Sequence, residues 1–249
     1  MRLNQLLIFL CVFIITAQSF AQRSPRTVSD LFSRDARTMP RDPLTYSIRN
    51  SKTGTIDTFN VWDNIQGKRY LFDQWVKGSV VETDGSIIES DSLLFNFDKE
   101  LGTLIVTTNK IDVMKFEIIT LSSFTLQDDK GVYVFERPTE IDRSKFFQVL
   151  VKDASKYRLY KSPNIKFEEA NYYNNGITET GKKYDEYIDK PVYYVVFPDG
   201  REKEITLKSK TIKSVLDSED AKVNAYFKQH SKEDVNETFL KGLIAYLNQ

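Results

Sequence analysis

Hydrophobic and polar positions are arranged in three different ways along this chain. Near the start, Leu6 to Ile15 is an almost unbroken apolar run. From about residue 69 to 207, short stretches rich in Val, Ile, Phe, Tyr and Thr are separated by turn residues, the mark of strands joined by short connections. After Lys208 the apolar spacing changes to three and four residues, the period of an amphipathic helix.

In the middle region, Trp75 to Glu82 runs into Asp84-Gly85, a dipeptide that predicts a two-residue hairpin turn, and Ser86 to Phe97 is read as the returning strand. Leu101 to Thr108, Val113 to Leu121 and Phe124 to Gln127 follow. Asp128-Asp129-Lys130-Gly131 then turns the chain into Val132 to Phe135. Phe146 to Val151 and Tyr157 to Tyr160 are further strands, and Asn171 to Lys183 reads as a looser segment. Pro191 to Phe197 is the most strand-like heptad, and Pro198-Asp199-Gly200 turns it into Glu202 to Leu207. No 10–15-residue helical pattern separates these strands, so an antiparallel meander is expected, as a curved sheet or partial barrel.

The C-terminal stretch predicts two or three short helices. Their faces are Ile212, Val215 and Leu216, then Val223, Tyr226 and Phe227, then Val235, Phe239, Leu240, Leu243, Ile244 and Leu247. Ser218 is read as one cap, and Ser231 to Asp234 as a near capping box. Gly242 costs a helix about 1 kcal/mol relative to Ala, so it is read as a mark of close packing. The fold class is therefore α+β. A β domain spans 67–207 and the helices, packed on it, span 208–249.

The apolar run near the start belongs to a targeting signal. Arg2 precedes it, and Ser19 and Ala21 stand at −3 and −1 of a cleavage site, so residues 1–21 read as a secretory signal peptide cut after Ala21. About ten apolar residues are too few for a membrane span, which takes roughly 20. Cys11 follows Leu10 where a lipobox needs a small residue, so no lipid anchor is expected. Residues 22–66 read as a polar, solvated arm with one short helix over Val28 to Arg37. Its arginines interleave with Asp30, Asp35 and Asp42.

Composition then removes chemistries. The balance of 35 Lys+Arg against 35 Asp+Glu argues against a nucleic-acid partner. Cleavage after Ala21 leaves no cysteine, which fits the periplasm or cell surface of a Gram-negative bacterium. One histidine, His230, is too few for a typical zinc site, and its place in the last turn of a helix is the ordinary one for a cation. No metal or cofactor is expected, and no catalytic residue is assigned. Gly176 to Lys183 nearly matches a phosphate-binding loop, but Lys183 replaces the hydroxyl that binds magnesium and no strand or apolar helix flanks it. Eight tyrosines fall between Tyr157 and Tyr194. Of these, Tyr172, Tyr173, Tyr184 and Tyr187 sit at expected loop positions and form the candidate binding surface, since Tyr joins an apolar face to a polar tip.

Two stretches carry a resemblance. Trp75-Val76-Lys77-Gly78-Ser79-Val80 opening onto Asp84-Gly85, and the Leu243 to Asn248 end after a tyrosine-rich strand and a Gly turn, resemble uncharacterised secreted β-rich proteins of the Bacteroidota with a short C-terminal helical segment. The resemblance spans roughly residues 69–249 and implies location and architecture, not an activity.

Three functions stay open. The leading one is a non-enzymatic extracytoplasmic protein that binds or scaffolds an envelope protein or glycan. The second is a periplasmic carrier of an apolar ligand held between sheet and helices. The third is a hydrolase using carboxylates alone. A filled core with an exposed aromatic patch favours the first, an apolar cavity under the helices the second, and two facing acids in an open cleft the third.

Overall fold

The structure is a computed structural model that describes residues 65–153 and 156–249. The signal peptide expected over 1–21 and the helix expected over Val28 to Arg37 lie outside the described residues. The chain forms β1 (Ile65–Gly67), β2 (Lys77–Glu82), β3 (Ile87–Glu89), β4 (Leu94–Asp98), β5 (Thr103–Thr107) and β6 (Met114–Lys115). Next come β7 (Leu121–Asp128), β8 (Gly131–Glu136), β9 (Phe147–Val151) and β10 (Arg158–Ser162). Then follow β11 (Ile165–Glu168), β12 (Tyr173–Asn174), β13 (Glu179–Thr180), β14 (Asp185–Asp189), β15 (Val192–Val196) and β16 (Glu202–Ile205). Helices α1 (Ser209–Val215), α2 (Asp220–Gln229) and α3 (Glu237–Leu247) end the chain.

Eight strands make one open antiparallel sheet, in the order β16-β15-β10-β9-β8-β7-β2-β3, and it does not close into a barrel. A smaller antiparallel sheet, β4-β5-β6, leaves and re-enters the chain between β3 and β7. Three local expectations are corrected here, the first being Val113 to Leu121, which holds only the two-residue β6 and a 3₁₀ turn at Ile118–Thr120 before Leu121 begins β7. Ser86 to Phe97 is not one strand: Ser90 to Leu93 turns the chain, with Leu93 N donating to Ser90 O at 3.1 Å, so β3 and β4 join different sheets. The Asp84-Gly85 hairpin also needs three turn residues, because Glu82 N bonds Ser86 O at 2.8 Å and Thr83, Asp84 and Gly85 bridge the gap.

The register of the large sheet explains its burial. Val80, Phe124, Phe135, Gln148, Lys161, Tyr193 and Ile205 are successive cross-strand partners, so their side chains share one face. One half of that face lies under β4, whose Phe97 ring stands 5.0 Å from Phe135 and 6.0 Å from Phe124. The other half lies under the helices. There Leu159, Tyr193, Val195 and Ile205 form one buried cluster with Ile212, Leu216, Val223, Phe239, Leu240, Leu243 and Ile244. Short helices are marginal alone in water, and this sheet face is the partner that stabilises them.

Polar contacts set how α3 sits. Asn236, not Ser231, caps it, accepting from Phe239 N at 3.0 Å. Glu237 in its first turn accepts from Lys161 Nζ at 2.7 Å and from the Tyr193 hydroxyl at 3.0 Å, both on the sheet. At the far end, the Asn248 side chain bonds both backbone groups of Tyr157, at 3.0 and 2.9 Å. Ser218 does not cap a helix either: it lies in the 3₁₀ turn Asp217–Glu219 that precedes α2.

Candidate functional site

The segment read as loose is a β-ribbon. Strands β11 and β14 pair antiparallel from Ile165↔Asp189 to Glu168↔Glu186, and β12 and β13 continue outward as Tyr173↔Thr180 and Asn174↔Glu179. Asn171 N donates to Lys182 O at 3.1 Å between the two ladders, where the register slips by one residue. At the base, β1 pairs parallel with β14, the one departure from antiparallel order in this region. The excursion from 165 to 189 contains no buried residue.

A two-stranded hairpin without a core is barely stable in water, so local polar contacts must hold this one. At the tip the Asn175 Oδ1 accepts from Ile177 N at 3.0 Å, Thr178 N at 2.8 Å and the Thr178 hydroxyl at 3.2 Å. Midway, Lys182 Nζ bonds Glu186 at 2.5 Å and Glu168 at 3.1 Å. These carboxylates, Glu186 first, hold the Lys182 ammonium well above the usual lysine value. Lys183 Nζ stands 4.3 Å from the centre of the Tyr172 ring and bonds Glu179 at 2.9 Å.

The same contacts dispose of the phosphate-loop resemblance. Gly176 is at the hairpin tip, Lys182 is bound by two carboxylates, and the chain continues as β14 where a phosphate loop would open a helix. Gly181 is required for a different reason: a Cβ there would lie 2.2 Å from Asn171 O across the ribbon.

The four predicted tyrosines all lie on this excursion but not in one patch. Tyr172 and Tyr173 stand on its outer half, 37% and 60% exposed. Tyr184 is half-buried at the bend before β14. Tyr187 is not in a loop: it is within β14 at the base, with its ring 4.9 Å from Phe167 across the ladder. Burial, then the negative charge of Glu100, raises its hydroxyl pKa. Two exposed apolar residues escaped the sequence reading, Ile177 at the tip (90% exposed) and Phe167. The signal for them was Asn175-Gly176, a strong hairpin dipeptide, but the polar residues around it obscure the strands.

Elsewhere, several ionisable groups are held in pairs. On the other face of the large sheet, where Tyr160 is buried with Phe147 and Val196, the Tyr160 hydroxyl donates to Glu136 at 2.6 Å, and Arg158 bonds Glu140 at 2.6 Å. Arg158 lowers the Glu140 pKa, as Lys166 does for Glu168 and Lys183 for Glu179. Carboxylates moved in this direction are poor proton donors near neutral pH, whereas a glycosidase acid is moved up. Among the described residues, no three or more of His, Cys, Asp and Glu are grouped to hold a metal ion. No described helix is long and apolar enough to cross a membrane.

Comparison of the chain with family models, curated proteins and solved structures finds no match.

Proposed function

We propose that this chain is a non-enzymatic extracytoplasmic protein of the Gram-negative envelope, which binds or scaffolds another envelope component, a protein or a glycan, through its ribbon. One observation carries the reading. The excursion from 165 to 189 is built on four short paired strands with no fully buried side chain, and it presents Tyr173 and Ile177 to solvent. Pairing of that kind adds little to the core of a domain, and exposed aromatic residues on a hairpin suit recognition of a surface. The carrier reading needs an apolar cavity under the helices. That space is filled by Leu159, Val195, Ile205, Leu240, Leu243 and Ile244.

The test has two parts. The purified chain and its Tyr173→Ser/Ile177→Ser variant are immobilised and challenged with envelope extract of the source organism. Retention of the same protein or glycan by the parent, lost in the variant, supports the ribbon as the binding element. Equal retention by both removes it. Export is tested by mass spectrometry of the natural protein: an N-terminus at Gln22 supports it, and retained Leu3 to Phe20 or a lipid on Cys11 overturns it.

A further inference from the structure

A pocket of about 330 Å³ opens at the foot of the ribbon, where three segments meet: the turn after β4, the residues before β9, and the turn between β10 and β11. The buried rings of Phe97 and Phe146 contribute apolar lining, joined by Leu101, Ile118 and Pro163. Its polar lining is Lys99, Lys145, Ser144, Ser162 and Asn164, with Glu100 as the one acid. Arg69 Nη1 already holds Glu100 at 3.1 Å, and the carboxylates beside the two lysines, Asp189 and Asp142, lie outside the lining.

Lys99 is the decisive residue. Its side chain is 7% exposed, and its Nζ bonds Asp189 Oδ1 at 2.5 Å, yet the Asp189 side chain is 71% exposed. A buried ammonium needs a counter-charge, whereas an exposed carboxylate does not. An anion entering the pocket can therefore take over Lys99 while Asp189 turns to water, and no charge is left buried and unpaired. Lys145, at the rim and 67% exposed, is paired only loosely with Asp142 at 3.7 Å, a solvent-exposed contact that an anion in the pocket can displace.

We infer that this pocket binds a small amphipathic anion, with an apolar ring or short chain against Phe97 and Phe146 and a carboxylate or phosphate on Lys99 and Lys145. Its volume is at the lower end for ligand sites, which suits one ring and excludes a nucleotide or a whole lipid.

The test is a titration of the isotope-labelled full chain, followed by amide NMR, with phenylacetate and phenyl phosphate as anionic probes and 2-phenylethanol as the uncharged one. Either anion is expected to give saturable shifts at Gly102, Ser144 and Asn164, while 2-phenylethanol gives none. Lys145→Ala, at an exposed position that the fold does not need, is expected to weaken the anion severalfold, and Lys99→Met to abolish it. The comparison of the two anions tells which headgroup the site prefers. No saturable shift at those amides, an equal response to 2-phenylethanol, or an unchanged affinity in Lys145→Ala overturns the inference.

Discussion

The Tyr226 hydroxyl occupies the place where a side chain on Gly242 would begin: a Cβ built on that glycine meets it at 2.2 Å. Tyr226 cannot easily yield. It is buried on α2 and packed against Phe239 and Tyr246 of α3, at ring distances of 5.2 and 5.5 Å. Gly242→Ala gains about 1 kcal/mol of helix propensity, but overpacking a tight contact costs about 1–3 kcal/mol. The substitution is expected to destabilise the chain by about 1 kcal/mol in urea unfolding. Tyr226→Phe leaves only an ordinary contact, 3.4 Å to Cζ. In that background the same Gly242→Ala is expected to stabilise, and a destabilising effect there would refute the contact as its cause.

Leu243, fully buried among the helices and the sheet, makes the helical segment part of the fold. Leu243→Ala is expected to cost about 2–5 kcal/mol. Truncation after Leu207 uncovers Leu159, Tyr193, Val195 and Ile205 and removes the Asn248 bonds to Tyr157, so the product is expected to be insoluble or rapidly proteolysed. Cooperative unfolding of the truncated chain at an unchanged midpoint would show the helices to be a detachable module.

Two buried tyrosines predict an alkaline limit. Burial, reinforced by the bond to Glu136, raises the Tyr160 pKa, and burial with the charge of Glu237 raises that of Tyr193. In the unfolded chain both titrate near pH 10. Because the folded values are higher, the stability they contribute is intact below about pH 10 and declines as pH rises toward the folded values, by up to about 1.4 kcal/mol per pH unit for each. Urea midpoints measured from pH 8 to 11 are expected to fall more steeply for the parent than for Tyr160→Phe/Tyr193→Phe. Parallel slopes would sink this account.

The ribbon is expected to open without the rest of the molecule. Lys182 joins both of its strands through Glu168 and Glu186, and no residue between 165 and 189 is buried. Lys182→Ala should speed hydrogen exchange at Asn171, Tyr173 and Thr180 and leave the global unfolding midpoint in place. Calorimetry with ATP should show no binding in either protein, since the carboxylates already occupy that ammonium. A lowered global midpoint would mean that the ribbon is integral to the core.

Periodicity alone was enough for most strands of the large sheet and for the three helical faces, because half-buried strands and helices print their period directly on the chain, though it merged β3 with β4 and cut β7 short. Leu243, Val223 and Ile212 are buried where their spacing predicted, and the close contact at Gly242 followed from an unfavourable residue in mid-helix. The chain by itself also determined the scarcity of His and Cys. Tertiary structure decided what depends on partners distant in sequence. That β3 and β4 join different sheets, and that Phe97 and Leu243 cover two halves of one face, rests on pairings that no local pattern contains. The ribbon was hidden for the same reason. Its strands bury no side chain fully, so they carry little hydrophobic alternation, and cross-strand contacts such as Lys182 with Glu168 hold them instead. The pocket beside Lys99 is more remote still, since Phe97, Phe146 and Asn164 become neighbours only when three separate turns converge.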